Sequence, residues 1–382
     1  MKKEVIIANQ PSWVLGNETV MVYVAKLGGH MAPVVFDRKS PEPLRPYFIN
    51  PWHAENLSFV NAVEAPLRGD FFCMPFGEDS PFSDEGHPLH GETATAVWQF
   101  DSESHEDGIS TLQISLETHC RPGKVEKRIA IKENQTVLYI QDRIHQFTGE
   151  MTMGHHATLS GQHHWQISTS PLLIGMTYPD SGAPYAGSAY SALQPGQTFN
   201  NLTQVPTKWK NPETTDCSVF PAREGFVDLV QVFYDPTKTP AWTAAVDAEN
   251  QFLWFSLKDP RVLPSMVMWM ENRGRHGSPW SGRNCCIGLE DVCAYLGEGK
   301  GIQAVEQVMA ENGLPTRHTL TVETPFDVNY IEGVARIPEG FNRVQDISFG
   351  DGEITFTSDS GQQVKLAVDY DFLYSGKLDY LV

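Results

Sequence analysis

Residues 111–144 read TLQISLETHCRPGKVEKRIAIKENQTVLYIQDRI. Leu112, Ile114 and Leu116 alternate with Gln113 and Ser115, the period of two that marks a strand with one buried face. Ile129 and Ile131, then Leu138 and Ile140, repeat the pattern, with Asn134 in the turn between them. The rhythm returns in VDLVQVFY (227–234) and QFLWFSL (251–257). In EITFTSDSGQQVKLAVDY (353–370), SDSG supplies turn chemistry between Ile354 and Phe356 on one strand and Val364, Leu366 and Val368 on the next. Helical spacing is convincing only in GIQAVEQVMAENG (301–313). There Ile302, Val305, Val308 and Met309 share a face, and Gly313 stands at the expected stop. Many strands and almost no helix predict an all-β protein, a large antiparallel β-sandwich filling residues 1–382 as one domain. Residues 176–225, rich in Pro, Gly, Ser, Asn and Thr, lack alternation and are expected to form ordered loops over one face.

The formal net charge is −19 with a sequence pI near 5.0, so the surface repels phosphate backbones and anionic lipids. Nucleic-acid and membrane partners are therefore not expected. The apolar run VIIA (5–8) is too short for a signal peptide, and no stretch approaches the roughly 20 apolar residues of a membrane span. Six cysteines without CxxC spacing read as reduced thiols in a cytoplasmic protein.

Three segments concentrate chemistry: RGDFFCMPFGEDSPFSDEGHPLHGE (68–92), MGHHATL (153–159) and MVMWMENRGRHGSPWSGRNCCIGLEDV (266–292). They supply Arg68, His87, His90, His155 and His156, and a carboxylate, Glu290, at the end of the strand-like run CCIGL. Histidines that donate and a carboxylate that accepts are the minimum for general acid–base work on a hydroxyl and an ether oxygen. A histidine near pKa 6.5 and a glutamate near about 4.3 coexist readily as neutral imidazole and carboxylate. A carboxylate beside the histidine would raise its pKa and suit it to the acid role.

Taken in order, the arginine segment, HPLHG, the histidine pair and a tryptophan followed by GLE resemble the aldose 1-epimerase (galactose mutarotase-like) family. The resemblance implies an antiparallel supersandwich that binds a small-molecule sugar and interconverts its anomers without a cofactor. It implies Glu290 as the base and His156 as the acid, with Arg68 and His90 holding substrate oxygens. Ala157, Thr158 and Leu159 follow His156 where the family carries a Pro-Tyr-Phe-like triplet, so His155 stands as a rival acid or a further sugar-binding group. Trp52, Trp98, Trp165, Trp269 and Trp280 are expected in the core, with one or two, Trp269 foremost, available to stack on a sugar face. Arg273, Arg275, His276 and Arg283 form a basic loop, read as solvated surface or as a clamp for a substrate phosphate or carboxylate.

Two other readings remain: a non-catalytic carbohydrate-binding protein on this scaffold, and a metal-dependent enzyme using His87, His90 and His155 or His156. The metal reading is disfavoured. If Ser160-Gly161-Gln162 closes a hairpin, Leu159 faces His163, and His163 and His164 stand apart from His155 and His156 as structural residues. No metal is then expected among them, because a cage needs ligands converging on one ion.

Overall fold

The alternation in 111–144 resolves into three consecutive antiparallel strands, Ile109–Thr118, Gly123–Lys132 and Val137–His145. They lie in a nine-stranded antiparallel sheet that also contains Trp165–Thr169, Ala241–Asp247, Phe252–Lys258 and Phe326–Arg336. A seven-stranded antiparallel sheet faces it, built from Leu172–Thr177, Phe226–Tyr234, Ser265–Asn272, Cys285–Cys293 and Met153–Ser160 with two short edge strands. The computed structural model describes residues 4–77, 84–180 and 187–378. Residues 78–83 of the first chemical segment and 181–186 of the loop region lie outside the described residues, as do both ends of the chain.

Leu112, Ile114, Val125, Ile129, Leu138 and Ile140 of the larger sheet pack against Ala157, Leu159, Val230, Val232, Met268, Ile287 and Leu289 of the smaller one. This is the layer that the alternation predicts, and it is all-β antiparallel sandwich throughout. Phe252–Lys258 and Ala241–Asp247 are buried on both faces, which simple alternation would not anticipate. The cause is a third layer. A three-stranded sheet, Val344–Gly350, Glu353–Ser358 and Gln363–Ala367, lies over the outer face of the nine-stranded sheet. Its Phe356 meets Phe255 edge-on with ring centroids 5.1 Å apart. The expected helix runs Gln303–Asn312 and ends on Gly313 in the left-handed conformation, φ 62°.

The expected hairpin at 160–162 does not form. Met153–Ser160 belongs to the seven-stranded sheet and Trp165–Thr169 to the nine-stranded one, so this turn carries the chain across the sandwich. Leu159 pairs with Ile287, not His163. His163 then binds Asp247 at 2.7 Å and His164 meets Glu249 at the surface, both remote from the pair at 155–156 in role.

Charged groups sit inside the main sandwich as paired sets. Lys127 Nζ binds Asp142 at 2.9 Å and Lys258 Nζ binds Asp291 at 2.8 Å, all four fully buried. Tyr234, Tyr330 and Ser256 donate to the Asp291 carboxylate at 2.7–3.0 Å. Buried charges persist in such a layer only when paired and hydrogen-bonded. None of the six cysteines forms a disulfide. Among the described residues, no helix is long and apolar enough to cross a membrane.

Candidate active site

Side chains alternate across a strand, so neighbours His155 and His156 must face opposite ways. Antiparallel pairing sets His156 opposite Glu290 and His155 opposite Asp291. His156 and Glu290 therefore share the outer face of the seven-stranded sheet, and His156 Nε2 lies 3.1 Å from Glu290 Oε1. His155 and Asp291 point into the sandwich. There His155 Nδ1 meets Asp70 at 2.8 Å, Nε2 lies 3.3 Å from Asp142, and the ring stacks on Tyr330 with centroids 4.2 Å apart. Burial alone would lower the His155 pKa, but Asp70 and Asp142 together outweigh it and raise the value. His155 is thus part of the interior charge network, and the expectation that it touches substrate is corrected by strand geometry.

Gly288 explains how Glu290 takes its position. It lies two residues earlier on the same face, and a Cβ there would stand 2.3 Å from Glu290 Oε1. The bare backbone lets the carboxylate fold back along its own strand toward His156. Around the pair, Phe71 stacks on His156 at 4.4 Å and His30 stacks on Phe71 at 3.9 Å. His90 stands at 89° to His156 with centroids 5.0 Å apart. Its own backbone is left-handed, φ 64°, where the HPLHG turn aims it inward. The Gly77 N–H donates to His90 Nδ1 at 3.3 Å, which leaves the ring proton on Nε2.

Trp269 sits on the same face two residues from Glu271, its ring 5.9 Å from His156. Its Nε1–H is buried and has no hydrogen-bond partner among the described residues, nor has Glu271 Oε2. Trp280 packs edge-on to Trp269 at 5.6 Å, and the Arg275 guanidinium covers both rings, 5.2 and 4.6 Å from their centroids. The structure thus gathers His156, Glu290, His90, Trp269 and Arg275.

It separates the others. Arg68 is wholly buried, and its guanidinium donates to the backbone carbonyls of Ile7, Ala8 and Pro66 at 3.0–3.1 Å. Each guanidinium nitrogen is engaged by a backbone carbonyl, so Arg68 ties the N-terminal strand to the 66–68 segment rather than standing ready for substrate oxygens, the role expected of it. Arg273 pairs with Glu224 at the surface, and Arg283 forms a two-pronged pair with Glu55 at 2.6 and 2.9 Å. The basic loop therefore sends only Arg275 to the site. Glu271, Phe71 and His30 were not singled out as site residues by sequence, and Trp280 only as one of five tryptophans able to pack in the core or stack on a sugar. Glu271 was detectable as the residue one period beyond Trp269.

Burial governs the electrostatics. It holds the Glu290 carboxyl well above its usual range, with Arg275 opposing. It pushes the His156 imidazole well below 6.5, helped by neighbouring His90 and His30. The expectation of a histidine raised by its carboxylate is reversed, because two buried groups can share one proton more cheaply than they can hold two charges. His90 is lowered to about 4 by burial and by Arg275. Glu271 is raised to about 7 by burial, with Arg275 and the backbone N–H groups of 274 and 275 opposing.

No family model matches the chain, and no curated protein matches it by sequence. Its fold, however, is that of the galactose mutarotase-like β-sandwich proteins. A galactose mutarotase-like protein from Clostridium acetobutylicum superposes with a TM-score of 0.56 at 9% identity, covering 88% of this chain and 98% of that one. A candidate mutarotase from Salmonella typhimurium gives 0.56 at 13% identity, over 88% and 96% of the two chains. A candidate aldose 1-epimerase from Escherichia coli K12 gives 0.54 at 12%, over 85% and 99%. At such identities the likeness is one of architecture.

Proposed function

We propose that the protein is a carbohydrate epimerase that interconverts sugar anomers by ring opening, acting in the cytoplasm. The observation that carries the reading is the His156–Glu290 pair, 3.1 Å apart on adjoining strands of a face walled by Trp269, Trp280 and His90. Polyhydroxylated rings suit such a site, since aromatic walls cover their C–H faces while buried polar atoms meet the hydroxyls.

The pair holds one proton. Burial favours the uncharged arrangement, a protonated carboxyl beside a neutral imidazole, with His156 Nδ1 against Thr158 Oγ1 at 3.1 Å. Moving that proton from Glu290 to His156 Nε2 yields the working form, an imidazolium acid and a carboxylate base. The Arg275 charge favours the ionised carboxylate in this form. The imidazolium then protonates the ring oxygen as Glu290 takes the proton of the anomeric hydroxyl, the C1–O5 bond breaks, and the free aldehyde rotates before closing. Closure reverses both transfers, so the pair ends with the one proton it began with. The His90 Nε2–H and the Trp269 Nε1–H are the donors placed to hold substrate oxygens.

Glu290→Gln tests the reading by polarimetry on a panel of aldoses. The amide cannot accept the proton, so the rate should fall about 10²–10⁴-fold with sugar binding retained. An unchanged rate on an active sugar removes Glu290 from the chemistry.

A further inference from the structure

Beyond the sugar site, His87, Glu92 and Cys120 place one imidazole nitrogen, one carboxylate oxygen and one sulfur within 4.8 Å of one another. They come from two separate segments. His87 opens the HPLHG turn and Glu92 begins the short 3-10 helix Glu92–Ala94 just after it. Cys120 lies in the turn between the strands Ile109–Thr118 and Gly123–Lys132. We propose that this trio binds a borderline-soft divalent cation, zinc foremost, which pins the HPLHG turn to the 119–122 turn.

The donor chemistry supports this in three ways. First, the set is mixed: thiolate, imidazole and carboxylate together select zinc over the hard cations magnesium and calcium, which take oxygen ligands. Second, the His87 tautomer is fixed. Arg121 donates twice to the Glu85 carboxylate, and a carboxylate paired in this two-pronged way acts as an acceptor. His87 Nε2, 2.9 Å from Glu85 Oε2, must therefore donate, and the neutral ring carries its lone pair on Nδ1. A carboxylate behind a histidine is the arrangement that orients metal-binding imidazoles and raises their basicity. Third, Glu92 is already held. Its oxygens accept from the backbone N–H of His119 at 2.8 and 3.1 Å and of Cys120 at 2.8 Å, which sets its carboxylate beside the Cys120 side chain.

Bonds of roughly 2.0–2.3 Å to a tetrahedral zinc place donors about 3.5 Å apart. The trio needs side-chain movements of only about an ångström to reach that spacing, and water completes the fourth position. His90, three residues from His87, stands in the sugar site, so an ion here fixes the turn that presents it. The inference does not depend on the sugar chemistry.

The test uses the full chain, stripped with a chelator and titrated with zinc by calorimetry and with cobalt by absorption. One zinc per chain is expected, and cobalt should give a thiolate-to-metal charge-transfer band that Cys120→Ser abolishes. Glu85→Gln, which removes the carboxylate behind His87 and with it the two-pronged pair to Arg121, should weaken zinc about 10–100-fold. Cys120 lies at a partly exposed turn, so Cys120→Ser should keep its fold, read by circular dichroism. The proposal is overturned if the wild-type chain takes up no zinc. It is equally overturned if zinc binds without a cobalt–thiolate band, or as tightly after Cys120→Ser as before.

Discussion

Replacing Gly288 by alanine separates folding from site geometry. Gly288 has no left-handed backbone requirement and sits mid-strand, opposite Trp269 and Thr158. Alanine is therefore tolerated by the backbone and restricts the unfolded chain, worth about 0.4–1 kcal/mol in favour of folding. The new methyl would stand 2.3 Å from Glu290 Oε1 and 3.1 Å from its Cδ. Ordinary contact begins near about 3.4 Å, so the carboxylate must retreat by ~1 Å, which its flexible end allows. That retreat takes Oε1 out of hydrogen-bond range of His156 Nε2, now at 3.1 Å. A misplacement of about 1 Å typically costs on the order of 10²-fold in rate. The expected outcome is a urea midpoint within a few tenths of molar of wild type and an anomerisation rate lower by about two orders of magnitude. A crystal structure of Gly288→Ala with the His156–Glu290 contact intact, or an unchanged rate, would refute the positioning role.

Asp70→Asn removes the 2.8 Å carboxylate partner of the buried His155 and leaves the ring beside Asp142 at 3.3 Å, so denaturant unfolding should report a loss of about 3 kcal/mol. Arg275→Ala should raise KM for a sugar phosphate or uronic acid severalfold more than for the neutral sugar, whereas Arg273→Ala, engaged with Glu224, should affect neither. Equal responses of the two substrates to Arg275→Ala would dismiss the clamp. His90 is neutral when folded down to about pH 4 and protonates near 6.5 when unfolded. Its contribution is present above pH 6.5 and lost as pH falls, so the stability difference between wild type and His90→Gln should drop by about 3 kcal/mol between pH 6.5 and 4.

Alternation was enough to read the sandwich, because Leu112, Ile114, Ile129 and Ile140 obey it without interruption. It was not enough where a strand is covered on both sides, as in Phe252–Lys258, since no local pattern records a third layer from residues 344–367. At the site, His156 and Glu290 were legible as chemical types, and their facing only through a register set 134 residues apart in the chain. Arg68 misled because an arginine whose nitrogens are engaged by backbone carbonyls looks, in sequence, like one awaiting substrate. His155 could not be excluded until strand facing was known. The turn at 160–162 has hairpin composition, yet the sheet change there depends on where Trp165 and Phe252 pack, a tertiary fact.

The pairing of Met153–Ser160 with Cys285–Cys293 also sets a schedule for synthesis. A ribosome extending the chain at 5–20 residues per second delivers Glu290 roughly 7–27 s after His156. Through that interval the earlier strand has an open edge, and its inward-facing His155 has met neither Asp291's neighbours nor the closed layer that buries it. The nascent protein must therefore pass a long stage in which a sticky strand edge is exposed, and topologies this non-local close slowly even after release. Shielding by chaperones during translation should matter more to the yield of this protein than the stability of its finished core.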